Sequence, residues 1–457
     1  MSKICSVKKF LNDRPIFYKK IDYERFPKAY ESIKDKIPLK NVIQIIGTNG
    51  KGSTGRFLAN AIAAAGFRVG HYTSPHIFRL NERIYLAGPT DKCLNFRELN
   101  LDRNSNQCLN LDRGLSELNL ICDSKSPSKP NLNQSSSELA KQNFRCAPIG
   151  RDVSDVQLQR AHEFLQESLP AEFKDSLSYF EYLTLAAAVL FRDCDYCVIE
   201  AGMGGEFDAT SSFGRTLSLF TPIGTDHLGM LGQNLEQIAH TKLIMMDKEA
   251  ILSDEMSEVP LRIAQQIAEQ KGTHLRFATE LLSKSEQAQI AEFCAHNNLP
   301  KFQISNLALA LAAMKFLNLK FEISQLPPLN LRGRMEALAP NLRVDVGHNE
   351  LAAQQVAREI TEIYGGKKIV LIYNAFADKD VAAVLRTLAP VVERVEIFNY
   401  EVADREMAAE AITRALDALK IPHSPFRGEL RADEEYLVFG SFHLVENFIL
   451  WLEARRG

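Results

Sequence analysis

The segment IIGTNGKGST (45–54) places several glycines, a lysine and hydroxyl side chains within one short turn. It follows an apolar run typical of a buried strand and precedes FLANAIAAAG (57–66), an alanine-rich stretch typical of a helix. Glycine lets backbone N–H groups close around phosphate oxygens, Lys51 adds a mobile positive charge, and the start of a helix favours anions. The segment therefore predicts a phosphate-binding loop, in a variant form because Gly52 separates Lys51 from Ser53. A glycine turn with a purely structural role is the alternative.

Polar side chains that could serve such a loop follow other apolar stretches of the chain. Glu200 ends the apolar run of DYCVIEAGMGG (195–205), where an unpaired carboxylate would be costly to bury and could instead hold Mg²⁺. Asp226 and His227 follow another apolar stretch, and Lys242 lies on a predicted helix beyond them. A hydrogen-bonded core histidine and a solvated helix lysine are the plainer interpretations of these last two residues. Their position after a phosphate loop favours a role in the same site.

Short apolar runs alternate with helix-compatible stretches, which is the pattern of a parallel α/β sheet. NVIQIIG, DYCVIEAG and KKIVLIYN are predicted strands, and beyond residue 335 LRVDVG, VERVEIFNY and YLVFGS alternate with alanine-rich amphipathic stretches. The proline pair in QLPPLNLRGR (325–334) disfavours helix and suits a connector. We therefore predict a phosphate-loop domain over 1–324, a linker over 325–334 and a smaller α/β domain over 335–457.

The stretch at about 90–150 differs from the rest of the chain. The pentapeptide LNLDR occurs at 99–103 and again at 109–113, and a segment rich in Ser, Asn and Lys follows. Such a low-complexity insert has little apolar surface to bury, and we expect it to stay mobile. Helical periodicity resumes in VSDVQLQRAHEFLQESLP, where Ser154 is a predicted N-cap. The predicted apolar face of this helix consists of Val156, Leu158, Ala161 and Leu165.

Composition narrows the class of protein. The chain has 457 residues, of which 46% are hydrophobic and 24% charged, and no apolar run is long enough to span a bilayer. These values exclude fibrous, fully disordered and integral-membrane classes. The formal net charge of −3 gives no sign of a nucleic-acid or anionic-membrane surface, so we expect a small ligand.

Cysteine usage indicates a reducing compartment. Eight cysteines form no tight disulfide framework, and the first residues lack an apolar signal core, so we expect a cytoplasmic protein. Cys194 and Cys197 have redox or zinc spacing, but no second pair completes a site. We interpret them as buried structural thiols.

Taken together, the motifs resemble a known family of ligases. GTNGKGS, TSPH followed by NERI, SYFEYLT, EAGMGGEFDAT, GTDHLGMLGQNLEQIAHTK, ISNLALA, RGR, DVGHN and ADKD occur in the order typical of folylpolyglutamate synthase/dihydrofolate synthase, within the Mur ligase superfamily. The resemblance covers roughly 20–90 and 152–457. It implies an α/β architecture in which a P-loop, ATP-binding central domain with a parallel sheet precedes a smaller Rossmann-like domain.

The resemblance implies an ATP-dependent carboxylate–amine ligase of folate biosynthesis and one-carbon metabolism. Such an enzyme adds L-glutamate to dihydropteroate, to a reduced folate or to both, and extends polyglutamate tails. The pteroyl carboxylate becomes an acyl phosphate, and the reaction releases ADP and phosphate. The expected partners are ATP, L-glutamate and a pterin or folate, without nucleic acid or membrane, and the expected state is a monomer.

The same resemblance assigns residues that handle the nucleotide and the metal. Two Mg²⁺ ions are expected, one held by Ser74 and Glu200 and one by His227 with Lys242, provided that Lys242 is carbamylated. The residues implied to be catalytic are Lys51, His227, Lys242 and His348. The residues implied to bind ATP are Gly47, Thr48, Asn49, Gly50, Lys51, Gly52, Ser53, Thr54, Asn306, Arg334 and Asp345.

A third set is implied to bind the pteroyl substrate. Aromatic side chains beside an acid suit a flat heterocycle, although core packing of Tyr179 and Phe180 is an alternative. The residues implied to bind this substrate are Arg83, Ser178, Tyr179, Phe180, Glu181, Phe207, Asp208 and Ala209.

The chain also departs from the family pattern at particular positions. Glu206 stands where the family usually has Arg, Ser211 stands where it has Asn, and the usual KAGI continuation is absent after Lys242. Two other functions stay open at this point. One is a Mur-type amide ligase that acts on a peptidoglycan precursor, and the other is a P-loop ATP-binding protein without ligase activity.

Overall fold

The computed structural model describes residues 6–14, 22–89, 150–402 and 405–455, and within these ranges the chain forms two sheets. The strands of the first sheet are β1 (Val42–Ile46), β2 (Val69–Tyr72), β3 (Ile84–Ala87), β4 (Arg151–Asp152), β5 (Tyr196–Glu200), β6 (Leu217–Phe220), β7 (Glu249–Leu252) and β8 (His274–Phe277). The strands of the second sheet are β9 (Glu336–Ala339), β10 (Leu342–Asp345), β11 (Ile369–Tyr373), β12 (Val392–Ile397), β13 (His423–Pro425) and β14 (Tyr436–Phe439).

Helices cover both sheets. Those that accompany the first sheet are α1 (Val7–Asn12), α2 (Arg25–Glu31), α3 (Lys51–Ala64), α4 (Asp155–Ser168), α5 (Ala171–Lys174), α6 (Tyr179–Phe191), α7 (Leu235–Leu243), α8 (Glu258–Lys271), α9 (Ala278–Leu281), α10 (Lys284–His296) and α11 (Phe302–Phe316). Those that accompany the second sheet are α12 (Glu350–Ile363), α13 (Val381–Leu388), α14 (Ala409–Leu419) and α15 (Phe442–Glu453). We call the described residues up to 325 the first lobe and those from 336 onward the second lobe.

Strand β1 lies inside the eight-stranded sheet, whose order is β4-β3-β2-β5-β1-β6-β7-β8. It pairs in parallel with β5 at Ile43↔Val198 and with β6 at Ile43↔Leu217, whereas β3 and β4 form an antiparallel edge. Every residue of β1 is buried, because helices cover both faces of a parallel sheet. The carboxyl ends of β1, β5 and β6 therefore meet at one edge, where the loops that follow them come together.

The second lobe repeats this arrangement on a smaller scale. Its strand order is β13-β12-β11-β14-β10-β9, with β9 antiparallel to β10 and the other pairs parallel. Apolar clusters lie on both faces of this sheet. The α/β architecture expected from the sequence, with a larger phosphate-loop sheet before a smaller one, is confirmed.

Helix α3 is buried along almost its whole length because α11 packs against it. Both helices are rich in alanine and leucine and have apolar residues on every face, which is the pattern of a helix surrounded by protein. This packing fixes the start of α3, and with it the loop that follows β1.

The predicted strands are all present, and the helix predicted after the phosphate loop runs from Lys51 to Ala64. Ser154 caps α4 as predicted, and Leu158, Ala161 and Leu165 are buried. The prediction for Val156 is wrong, since this side chain is 59% exposed. Two positions before Leu158 correspond to about 200° around a helix, which places Val156 on the opposite face.

The predicted mobile insert falls on residues 90–149, which lie outside the described residues. Cys194 and Cys197 are buried and form no disulfide, which agrees with a structural role. Burial raises the pKa of the Cys197 thiol to about 12. In the described parts of the chain, none of the helices has the length and apolar character needed to cross a membrane.

Candidate active site

The phosphate loop joins β1 to α3 and depends on glycine at defined points. Gly50 has φ +87°, a conformation that favours glycine. A Cβ atom there would lie 2.3 Å from Asn306 Oδ1, and one at Gly47 would lie 2.0 Å from Thr221 Oγ1. Neighbouring elements therefore approach the loop backbone as closely as glycine allows.

Lys51 begins α3 and turns back over the loop. Its Nζ atom donates hydrogen bonds to the carbonyl oxygens of Gly47 at 3.2 Å and Thr48 at 3.1 Å. The same atom lies 3.8 Å from Glu200 Oε1. An amine in this position faces the space that the loop encloses, as a lysine that binds phosphate must.

Glu200 ends β5 and is buried beside the loop. Its Oε2 atom accepts hydrogen bonds from the Thr73 hydroxyl and from the backbone N–H of Ser74, the latter at 3.3 Å. Burial raises the pKa of this carboxyl, while the positive charge of Lys51 and the two hydrogen bonds oppose that rise. The structure thus places the backbone of Ser74 beside Glu200. Metal binding by these two residues stays a prediction.

Lys242 is one of the most deeply buried charged side chains in the described chain, at 1% exposure. Its amine donates to the carbonyl oxygens of Gly47, at 3.1 Å, and Met203. Burial, together with the charge of Lys51, lowers its pKa to about 7. The interpretation of Lys242 as a solvated helix lysine is therefore wrong, because it shares an acceptor with Lys51 inside the site.

His227 lies in the loop between β6 and α7, in a left-handed conformation with φ +52°. Its side chain is 31% exposed, so it is not a core histidine. Burial lowers its pKa to about 4, even though Asp226 favours the charged form. The imidazole is therefore neutral at pH 7, which is the form that binds metals.

Arg334, from the segment between the lobes, reaches the phosphate loop, and Asp345 of the second lobe lies near enough to act on its charge. Arg334 Nη2 would lie 4.0 Å from a Cβ atom at Gly52. Burial lowers the pKa of this guanidinium, and the charges of Asp345 and Glu200 oppose the effect. Asp345 is itself fixed, since its two oxygens accept from the backbone N–H groups of Gly347 at 2.8 Å and Met335 at 2.9 Å.

Asn306 reaches the loop from α11. Its Oδ1 atom lies 3.4 Å from the hydroxyl of Thr54, and its Nδ2 atom donates to Gln303 at 2.9 Å. Gln303 in turn donates to Ser53 Oγ at 3.2 Å. The structure therefore brings together the predicted nucleotide residues on α3 and α11.

The predicted pteroyl residues on α6 are partly committed to protein contacts. Glu181 Oε2 accepts from Arg25 Nη2 at 2.6 Å and from the Ser178 backbone N–H at 2.6 Å. Tyr179 and Phe180 are half-buried and pack against the apolar core, which supports the core-packing alternative for part of each ring.

The loop after β5 supplies the other predicted pteroyl residues. Phe207 is 57% exposed and its ring centroid lies 4.1 Å from that of Tyr23. Asp208 accepts from the backbone N–H groups of Gly204 at 3.1 Å and Thr210 at 3.0 Å, and so fixes the loop. Ala209 is buried in the same turn.

Arg83 reaches the same region from the segment before β3. Its Nε atom donates to His76 Nδ1 at 2.8 Å, and its guanidinium lies 5.4 Å from the Tyr179 ring centroid. Glu206, by contrast, is exposed, and the side-chain contact found there is from the Ser211 hydroxyl to its backbone oxygen.

An ion pair that the sequence did not predict lies beside His227. Asp226 pairs with Lys379 at 2.7 Å, and His348 Nε2 lies 3.4 Å from the same carboxylate. Burial would raise the pKa of Asp226, but the hydrogen bond from His348 and the positive charge of Lys379 hold it well below its usual value. The motifs GTDHLG and ADKD contained both partners of the ion pair, yet nothing in either motif indicated that they meet.

Asp226, His227, His348 and Lys379 line a small, open cleft between the lobes. Its walls come from the loop after β6, from the loop before α12, and from the loop before α13, and they include His227, His348 and Lys379.

The donor set at the site suits a divalent cation only in part. Among the described residues no group of three His, Cys, Asp or Glu side chains could hold a metal by itself. Glu200 and the Ser74 position offer oxygen donors of the kind that Mg²⁺ takes together with phosphate and water. The amine of Lys242 is not such a donor, so the predicted second metal requires its carbamate.

No family model matches the chain. The chain is similar to the folylpolyglutamate synthetase of Helicobacter pylori, with 34% sequence identity. Its superposition on the crystal structure of that enzyme covers 98% of both chains and has a TM-score of 0.67. It is also similar to dihydrofolate synthase/folylpolyglutamate synthase of Escherichia coli (strain K12), at 26% identity over 444 residues, which cover 92% of this chain and 88% of the relative.

The fold itself is shared with further solved structures. Escherichia coli FolC in complex with DHPP and ADP has a TM-score of 0.70 at 24% identity, with coverage of 98% of this chain and 97% of that one. Identity of 34% along nearly the whole Helicobacter pylori enzyme shows that the chain belongs to the folylpolyglutamate synthase/dihydrofolate synthase family.

Proposed function

We propose that this protein is an ATP-dependent ligase that adds L-glutamate to dihydropteroate, to a reduced folate, or to both. The observation that carries the proposal is the arrangement of Lys51, Glu200 and Lys242 around one phosphate loop, beside a cleft between the lobes. Membership in the family favours a folate substrate over a peptidoglycan precursor. Membership in a family of ligases also favours ligation over ATP binding without ligase activity.

The chemistry requires two successive displacements. The pteroyl carboxylate attacks the γ-phosphorus of ATP, which breaks the bond to ADP and leaves an acyl phosphate. The amine of L-glutamate then attacks the acyl carbon, and the tetrahedral intermediate collapses with loss of phosphate and a proton. Phosphoryl transfer needs positioning and charge neutralisation more than covalent help. Lys51, the N–H groups of the loop and Arg334 would supply both.

Metal ions would add to this neutralisation. Ser74 and Glu200 would hold one Mg²⁺, and His227 with a carbamylated Lys242 would hold a second; the ions would offset negative charge on the phosphates. The pKa of about 7 for Lys242 supports carbamylation, because the neutral amine that reacts with CO₂ is well populated at pH 7 and above. Glu200 and the neutral imidazole of His227 would supply the remaining donors.

Carbamylation can be tested directly. With ¹³C-labelled bicarbonate we expect a carbamate carbonyl resonance in the wild-type protein that is absent from Lys242→Arg. Added bicarbonate should also raise the activity of protein depleted of CO₂. If the two spectra are identical, the lysine is unmodified and cannot hold the second metal.

The pteroyl substrate would lie between α6 and the loop after β5. The exposed ring of Phe207 and the partly open rings of Tyr179 and Phe180 support stacking on a flat heterocycle. Arg83 lies over one of these rings and could face the carboxylate to be activated. Asp208 and Ser178 would act mainly by fixing their loops.

The function is tested by product analysis. Purified protein with ATP, Mg²⁺, L-glutamate and 7,8-dihydropteroate or tetrahydrofolate should release ADP and a product heavier by one glutamyl unit. ADP release should depend on glutamate, which separates ligation from idle ATP hydrolysis. Absence of a glutamylated product with both pteroyl substrates would sink the proposal, and turnover of a uridine-nucleotide peptide instead would favour the peptidoglycan ligase.

Further expectations from the sequence remain proposals. The division between two domains would fall within 325–334, which is supported by a 3-10 helix at Ile323–Gln325 and by the start of β9 at Glu336. A cytoplasmic location is supported by the buried thiols of the described chain, which form no disulfide. A monomer is expected, and its mass can be measured by light scattering.

A further inference from the structure

The carboxylate of Asp226 lies where the two lobes meet. It belongs to the loop between β6 and α7 of the first lobe, and its side chain is 8% exposed. Lys379, from the loop between β11 and α13 of the second lobe, donates to its Oδ1 atom at 2.7 Å and is 9% exposed. The two residues are separated by 153 positions in the chain. This is a buried ion pair that exists only when the lobes are together.

Each oxygen of this carboxylate has two donors. Oδ1 accepts from Lys379 and from the backbone N–H of His227 at 2.8 Å. Oδ2 accepts from Asn349 Nδ2 at 3.1 Å and lies 3.4 Å from His348 Nε2. Three of the four donors come from the second lobe, so a first-lobe carboxylate is enclosed by second-lobe groups.

Asn349 extends the same network to the phosphate loop. Its Nδ2 atom donates to Asn49 Oδ1 at 3.1 Å, and Asn49 Nδ2 donates to Asn349 Oδ1 at 3.0 Å. Asn349 also caps α12, since its Oδ1 atom accepts from the Ala352 backbone N–H. One continuous set of hydrogen bonds therefore joins the phosphate loop, the Asp226–His227 turn and the start of a second-lobe helix.

We infer that Lys379 is a positioning residue for the ligation: its ion pair with Asp226 fixes the second lobe against the phosphate loop and holds the turn that carries His227. The inference rests on the proposed function for the reaction that is positioned. Without Lys379, a buried carboxylate would lose its charged partner, and the lobes would separate more readily. A displacement of about 1 Å among reacting groups can lower a rate by roughly 100-fold.

A matched control exists in the same chain. Lys301 and Glu362 form an ion pair at 2.7 Å that also joins the two lobes, but the side chains are 69% and 47% exposed. Exposed pairs are screened by water and salt and contribute little. We therefore compare Lys379→Met with Lys301→Met, which is the same chemical change across the same pair of lobes.

Two measurements are made on each protein. Small-angle X-ray scattering, with and without a non-hydrolysable ATP analogue, should show a larger radius of gyration for Lys379→Met than for wild type or Lys301→Met. Steady-state assays should show kcat lower by roughly 100-fold in Lys379→Met. Lys379→Arg should recover part of both, because it keeps the charge but not the geometry of the amine. Lys301→Met should match wild type in both measurements.

A double variant separates the ion pair from a general loss of structure. If the pair acts as inferred, Lys379→Met should change kcat and the radius of gyration far less in an Asp226→Asn background than in the wild-type background. Circular dichroism checks that each variant is folded. Independent effects of the two substitutions, or wild-type scattering and kcat in Lys379→Met, would overturn the inference. An inactive wild-type protein would instead count against the proposed function, because scattering reads the lobe contact without turnover.

Discussion

Two amines converge on one backbone oxygen at the centre of the site. The carbonyl of Gly47 accepts from Lys51 at 3.2 Å and from Lys242 at 3.1 Å. The protein thus holds the two amines close to each other. Repulsion by the charge of Lys51 contributes to the lowered pKa of Lys242. A chain with a net charge of −3 therefore still brings amines together where a polyphosphate is expected to bind.

Lys51→Ala removes the amine that lies over the phosphate loop. We expect kcat to fall by about 10²- to 10³-fold, or ~2.7–4 kcal/mol of transition-state stabilisation, as for the loss of one preorganised donor elsewhere. The measurement is glutamate-dependent ADP release at saturating ATP. Lys248→Ala, at an exposed position, serves as the control. Wild-type kcat in Lys51→Ala would mean that the loop is a structural turn.

At this scale the sequence indicated which strand ends carry chemistry but not which side chains pair. Glu200 could be placed beside Lys51, because parallel strands bring their carboxyl ends to one edge of a sheet. The pairing of Asp226 with Lys379 depends on how two separate sheets pack against each other. No local pattern carries that information.

Helix α2 shows how a short element supports the predicted pteroyl site. Arg25 pairs with Glu181 at 2.6 Å, and the two side chains are 12% and 11% exposed. Tyr30 also packs edge-on against Phe213, just after the turn that contains Asp208. The sequence did not predict this role, because the helix is short and its charged residues resemble an ordinary solvated face.

Arg25→Met tests the support that α2 gives to this site. Removing one partner of a largely buried pair should lower the free energy of unfolding by about 3 kcal/mol. It should also raise KM for the pteroyl substrate while KM for ATP stays the same. Urea unfolding and steady-state kinetics measure the two effects. Lys28→Met is the matched control on the same helix, because the Lys28–Glu24 pair is 64% and 77% exposed. Equal effects of the two substitutions would contradict the assignment.

Strand β2 carries an unusual buried histidine. His71 is fully buried, and neither ring nitrogen has a hydrogen-bond partner among the described residues. It packs against α3, where a Cβ atom at Gly55 would lie 2.3 Å from its Nε2 atom. Burial, with a smaller effect of the Arg56 charge, lowers the pKa of His71 well below its usual value. The folded protein therefore keeps this imidazole neutral.

The neutral state of His71 predicts a pH dependence of stability. Below a pH of about 6.5 the unfolded chain binds a proton that the folded chain does not, so the free energy of unfolding should fall as pH decreases, by up to about 1.4 kcal/mol per pH unit from this group. Above that pH its contribution is constant. Urea unfolding between pH 5 and 7.5 should show a shallower slope for His71→Leu than for wild type. His296→Leu, at an exposed position, is the control. A slope in His71→Leu equal to that of wild type would argue against a neutral buried His71.

For the whole molecule, the order of strands and helices was predictable and the contact between the lobes was not. KKIVLIYN and NVIQIIG, one from each sheet, are both short apolar runs, which is the pattern of a buried strand. Strands of both sheets could therefore be predicted. The buried face of α4 was predicted less well, because an apolar residue such as Val156 can also lie on the exposed face of a helix. The lobe contact consists of loop side chains, which have no periodicity.

The segment 90–149 can be removed in a test of the whole molecule. It is flanked by β3 and β4, which pair at Tyr85↔Asp152 and Leu86↔Arg151. Replacing it by a short polar turn should leave kcat within about twofold of the wild-type value. Because a shorter loop costs less entropy to close, the replacement should also raise the free energy of unfolding by about 2 kcal/mol. Gly150 must stay, because a Cβ atom there would lie 1.7 Å from the Tyr85 hydroxyl oxygen. A large loss of kcat would assign the segment a part in turnover.

The same edge of the sheet offers a place to attach cargo. Its flanking strands bring the two chain ends side by side, and β4 is four strand positions from β1, or roughly 19 Å at the usual spacing. A fluorescent or affinity domain with neighbouring termini could be grafted there in place of the natural segment. The eight-stranded sheet would then carry a reporter at its rim while the distant phosphate loop continued to work.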